Sequence, residues 1–148
     1  RHQRGCEMEE KIRSIFGITA PDLRQVPVLT LAYVGDSAYE LILRTVFAET
    51  TTLHGKPLHD LVQNYVTARS QARIADGLLG EDAFSEEEAA IFRRGRNSHP
   101  ETVSKHASMA EYMKATGLEA LVGYLYLSGN IERAAELIRK GMPYAEEK

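Results

Sequence analysis

Apolar residues recur along this chain at intervals of three and four, the spacing of one helix face, and nowhere show the strict alternation of a half-buried strand. Residues 8–16 place Ile12, Ile15 and Phe16 on one side of a short helix ending near Gly17. Thr19, Ala20, Pro21 and Asp22 read as a turn, with Pro21 favouring a helix start. Pro27 opens the most apolar stretch, Val28 to Ala48, whose length and scarcity of turn residues predict a helix buried nearly all round. Thr50 to Pro57 reads as a loop. Residues 57–79 then return to helical spacing, with Leu58, Leu61, Val62, Tyr65, Val66, Ala72, Ile74 and Leu78 apolar and Gly77 and Gly80 near the end. Ser85 and Glu88 have the spacing of a capping box, opening a helix that runs to about Arg94. Gly95 to Pro100 reads as a break. Residues 101–114 are helix-compatible but polar, and a further apolar helix starts at Thr116 or Gly117 and covers Leu118 to Leu127. Asn130 caps a last amphipathic helix carrying Ile131, Ala134, Ala135, Leu137 and Ile138. With no strand pattern, repeat or linker, the expected fold is an all-α bundle. Residues 8–148 form its single domain; residues 1–7 lack periodicity and read as a frayed or non-native start.

Composition narrows the class further. A chain of 148 residues, 43% apolar and 26% charged, has the makeup of one globular domain and excludes a disordered or low-complexity protein. No apolar run approaches the ~18–20 residues of a transmembrane helix, so no membrane partner is expected. The lone Cys6 excludes an intrachain disulfide framework and a multi-cysteine zinc site, and makes a reducing, cytoplasmic setting the default. The net charge of −3 does not announce a polyanion binder, but it hides an asymmetry. Residues 76–88 carry six acids and no base, whereas residues 44–73 and 93–114 are net basic at +2 and +3. A polyanion responds to the field within about 8 Å, not to the molecular sum.

Three acids interrupt the apolar helices. Asp36 and Glu40 lie four apart on one helix face, and Glu119 is the only charge in residues 115–131. Burying a carboxylate is costly unless it is paired or binds a metal. Two readings stand: a buried ion network, for instance Glu40 with Arg44, or a metal site. If metal, oxygen-only ligands favour Mg²⁺ or Mn²⁺ over zinc, and magnesium needs only one or two carboxylates beside substrate phosphates. Gly35 and Gly123 sit beside these acids, and close helix approach is one reason for a buried helix to accept a glycine costing up to about 1 kcal/mol.

Leu31 to Glu40, Leu-Ala-Tyr-Val-Gly-Asp-Ser-Ala-Tyr-Glu, resembles the signature segment of the ribonuclease III catalytic-domain family. Thr116 to Leu127, with Glu119, Ala120 and Gly123, resembles that family's second acidic motif. Arg93, Arg94, Gly95, Arg96 and Asn97 resemble the basic loop of its short Mini-III branch, which lacks a double-stranded-RNA-binding domain. The resemblance covers roughly residues 27–140. It implies an all-α homodimer that cuts double-stranded RNA with Mg²⁺, Mn²⁺ substituting, and leaves 5′-phosphate and 3′-hydroxyl ends. It makes Asp36 and Glu119 the catalytic metal ligands. Two further acids of the full-length family are replaced here by Ala32 and Thr116, as in Mini-III. Glu40 and Thr116 are then supporting residues.

The implied reaction also needs a duplex contact surface. A-form RNA is gripped through phosphates and 2′-hydroxyls. The expected contacts are Arg93, Arg94 and Arg96 on a glycine-containing loop, with Lys56, Arg69, Arg73, Lys105 and His106. His54, His59 and His99 read as surface polar residues, and tyrosines 33, 39, 65, 112, 124 and 126 as packing. Resemblance further implies a 23S ribosomal RNA precursor as substrate and a ribosomal protein as helper. The alternatives are a non-catalytic, ribosome-associated RNA-binding domain of the same fold, and a helical interaction module whose acids form ion pairs.

Overall fold

The computed structural model describes residues 7–98 and 108–146, and its regular elements there are all helical. In chain order they are α1 (Met8–Phe16), α2 (Val28–Thr50), α3 (Gly55–Gln63), α4 (Ala68–Gly80), α5 (Glu86–Arg96), α6 (Met109–Leu127) and α7 (Ile131–Glu146). A short 3₁₀ turn, Leu23–Gln25, precedes α2 and is capped by Asp22, which accepts from Arg24 N. α6 is the axis of the bundle and packs against α2, α4, α5 and α7.

The helix enclosed on all sides is therefore α6 and not, as the apolar run suggests, α2. α6 buries Leu118, Ala120, Leu121, Val122 and Leu125 around its circumference. α2 buries Leu31, Tyr39 and Leu43 but leaves Leu29, Tyr33, Leu41 and Val46 exposed. A single copy of the chain offers α2 too few neighbours to cover its second apolar side.

Three helix boundaries also differ from the sequence pattern. Residues 57–79 form two helices, because Tyr65 leaves the helical path: its ring stacks on Phe47 at 5.6 Å and its carbonyl accepts the Tyr39 hydroxyl at 2.6 Å. Thr67 then caps α4 through Ser70 N. The segment from Met109 to Leu127 is one helix, opened by a capping box between Ser108 and Glu111. Its change from polar to apolar composition marks where it enters the core, not where it begins. Finally, α5 continues through Gly95, so Arg93, Arg94 and Arg96 occupy the last helical turn and not a loop.

Gly95 does not break α5 because it is used for contact. A Cβ there would lie 2.8 Å from Gly117 Cα and 2.9 Å from Ala120 Cβ of α6. The α2–α6 crossing is tighter still. A Cβ on Gly35 would lie 1.7 Å from the Glu119 carbonyl oxygen, and one on Gly123 would lie 1.9 Å from that of Leu31. The two backbones touch, and neither position has room for a methyl group.

Gly123→Ala is expected to cost about 3 kcal/mol or more, above the usual ~1–3 for overpacking because backbone must move. Gly80 ends α4 with open space around it. Gly80→Ala is expected to be neutral or stabilising by up to about 1 kcal/mol. Urea unfolding of the two variants measures both.

Candidate active site

The α2–α6 contact brings two acids together. Asp36 follows Gly35 on α2, and Glu119 supplies the carbonyl that Gly35 meets. Asp36 is exposed and Glu119 is partly buried. The two side chains lie near enough for their charges to interact: burial first, and the Asp36 charge second, push Glu119 up to about 8. Gln71 of α4 acts in the opposite direction, its Nε2 donating to Glu119 Oε2 at 3.4 Å. Tyr39 forms part of the floor beneath them. Burial first, and the Glu119 charge second, push its phenol up.

The other residues singled out from the sequence fall around this pair. Glu40 is partly buried and ion-paired with Arg44, the pairing that the spacing allows. Thr116 is buried, and its hydroxyl donates to Tyr112 O at 3.0 Å. Lys56 pairs with Asp60 at 2.9 Å, and Arg69 lies 3.9 Å from Glu111. Arg73 is partly buried on α4. Arg93 and Arg94 are exposed, and Arg96 Nε donates to Asn97 Oδ1 at 3.3 Å. The contact of Gly95 with α6 sets this arginine-bearing turn beside the Thr116–Ala120 segment. Lys105, His106 and His99 lie outside the described residues. His54 and His59 are exposed, whereas Tyr39 and Tyr65 are buried.

Gln71 is the residue that sequence reasoning missed. Its signal was present: Gln71, Ile74, Ala75 and Leu78 form the i, i+3, i+4, i+7 stripe of α4, with an amide in an apolar slot. It is 2% exposed.

Among the described residues, no three His, Cys, Asp or Glu side chains group closely enough to hold a metal. The described residues thus offer two carboxylates here. Their chemistry suits a divalent cation on two counts. The donors are hard oxygens, and two carboxylates pressed together need either a shared proton or a positive charge between them.

Comparison with known proteins identifies the family. The Ribonuclease III domain family matches residues 29–130. The chain is 38% identical over 117 residues to Mini-ribonuclease 3 of Enterococcus faecalis, covering 79% of this chain and 89% of that one. It is 41% identical over 121 residues to Mini-ribonuclease 3 of Symbiobacterium thermophilum, covering 82% and 92%. The crystal structure of a Fusobacterium nucleatum protein superposes with a TM-score of 0.72 at 28% identity, covering 80% of this chain and 93% of that one. The chain belongs to the ribonuclease III family of endoribonucleases, in its Mini-ribonuclease 3 branch.

The raised Glu119 makes the metal-free protein sensitive to alkali. With the folded value near 8 against an ordinary 4.5, stability is complete below about pH 4.5 and falls as pH rises through 8. Asp36→Asn removes the like charge. It is expected to raise the neutral-pH melting temperature in chelator, by about 2–4 °C per kcal/mol relieved, and to flatten the decline. Thermal unfolding from pH 5 to 9 reads both effects.

Proposed function

We propose that this chain is a Mg²⁺-dependent endoribonuclease of double-stranded RNA, with Mn²⁺ as a substitute and Asp36 and Glu119 as the metal ligands. The observation that carries this reading is the close α2–α6 crossing, which sets Asp36 beside Glu119 so that the charge of one acts on the other. The chemistry such an ion supplies is charge stabilisation at a phosphate and acidification of water, leaving 5′-phosphate and 3′-hydroxyl ends. The chain's own part is to hold the two carboxylates on rigid helices and to exclude water from beneath them with Tyr39 and Gln71, both buried. Glu40, fixed by Arg44, and Thr116 stand by as supporting residues. Family resemblance supplies the finer assignment, maturation of a 23S ribosomal RNA precursor with a ribosomal protein assisting.

Duplex binding is assigned to the α5 terminus. Arg93, Arg94 and Arg96 share one helical turn beside the Glu119 segment. Lys56, Arg69 and Arg73 are further candidate contacts, as are Lys105 and His106 on the sequence reading alone. Cleavage of a structured duplex in Mg²⁺ by wild type and Asp36→Asn tests the reading. Loss of cutting with retained binding is the expected result for Asp36→Asn. A wild type that binds the duplex yet leaves it intact in Mg²⁺ and Mn²⁺ would instead identify a non-catalytic RNA-binding domain. Alanine at all three arginines is expected to weaken binding and to flatten its salt dependence by about 0.9 for each phosphate that is no longer neutralised.

The functional unit is a homodimer in this reading. A cavity of about 590 Å³ opens between α2, α6 and α7, walled by Tyr33, Leu41, Ile42, Val46, Tyr126 and Ile131. Such an apolar face suits a second copy across a two-fold axis. Leu41→Asp is expected to convert a dimer to a monomer in sedimentation velocity. A wild type that sediments as a monomer at micromolar concentration counts against the homodimer.

A further inference from the structure

Excluding water from beneath the acidic pair does not by itself require a polar side chain, yet Gln71 places an amide there. Gln71 is almost wholly enclosed in α4, among Ala72, Ile74, Ala75 and Leu78, and its amide nitrogen faces Glu119 Oε2 at 3.4 Å. A buried amide in an apolar stripe loses stability unless its hydrogen bonds are made. An aliphatic residue would fill the same space without that cost. The retained amide therefore points to what it touches.

We propose that Gln71 is a positioning residue for Glu119: its N–H fixes the rotation of the carboxylate so that the group faces Asp36 and a divalent cation. The inference rests on the metal-binding reading above. With two carboxylates at the site among the described residues, orientation matters more than it would in a crowded cage. A free Glu side chain turns about several bonds, and a ligand that must be frozen on binding costs affinity. Glu119 is anchored at its backbone, where its carbonyl is wedged against Gly35. Gln71 anchors the other end. A distance of 3.4 Å is long for such a bond, as catalytic hydrogen bonds often are before a site is loaded.

The experiment is Mn²⁺ titration of the metal-free protein without RNA, read by electron paramagnetic resonance and calorimetry. The samples are wild type, Gln71→Met, Gln71→Asn and Asp36→Asn. Gln71→Met keeps the volume and removes the donor. Gln71→Asn keeps the amide but draws it back by one methylene. Both are expected to bind Mn²⁺ about 10- to 100-fold more weakly. The melting temperature of Gln71→Met in chelator is expected to stay near that of wild type, and duplex affinity to be unchanged in both variants. Cleavage by Gln71→Met is expected to recover as Mn²⁺ is raised, whereas Asp36→Asn stays inactive. Mn²⁺ affinity that falls in Asp36→Asn but is undiminished in Gln71→Met overturns the Gln71 assignment alone. A lowered melting temperature with undiminished Mn²⁺ affinity does the same, because it makes Gln71 a packing residue. Mn²⁺ binding indifferent to both substitutions overturns the metal-binding reading itself, and the Gln71 assignment with it.

Discussion

Where α2 crosses α6 at Gly35 and Gly123, backbone packs directly on backbone. The carbonyl oxygens of Glu119 and Leu31 occupy the places where side chains would stand. Helix axes usually lie about 8–10 Å apart because side chains intervene. Removing both Cβ atoms draws two helices together and lets residues beside the contact reach one another. Asp36 is the next residue along α2 from Gly35, and Glu119 is one turn before Gly123. Geometry of packing and geometry of the acidic pair are thus the same fact. A side chain at either glycine would separate the acids as well as the helices.

A second economy concerns charge. The acidic block and one basic segment of the sequence meet on α5, which carries Glu86, Glu87 and Glu88 in its first turn and Arg93, Arg94 and Arg96 in its last. Each end complements the helix dipole. Glu88 also closes the capping box with Ser85 and pairs with Arg133 of α7 at 2.8 Å, which holds its carboxyl below the usual range. The acid-rich turn is tied into the bundle, while Arg93 and Arg94 are left facing solvent. A net charge near zero therefore coexists with a locally basic helix end.

Local signals were legible wherever short-range chemistry decides structure. The Ser85–Glu88 capping box, the Gly17 terminus with φ of 68° and the Asn130 start of α7 are all recoverable from a few residues. So were Asp36 and Glu119, which stand out as charges in apolar surroundings. The failures share one cause. The kink at Tyr65, the passage of α5 through Gly95 and the unbroken α6 depend on contacts with residues far along the chain. Gly95 looks like a helix breaker until Gly117 is placed against it. The apolar excess of α2 was legible, but its placement on an outer side was not, because periodicity records that a face is apolar and not what covers it. Gln71 was missed for a related reason: an amide in an apolar stripe marks an unusual position but does not name its partner, which lies 48 positions away.

The acidic pair is unequal in depth. Asp36 is exposed, Glu119 is half sunken, and below them Gln71 and Tyr39 seal the interior. Substitutions at the two positions accordingly differ in kind: a change at Asp36 alters a surface group, whereas a change at Glu119 also disturbs the packing beneath it.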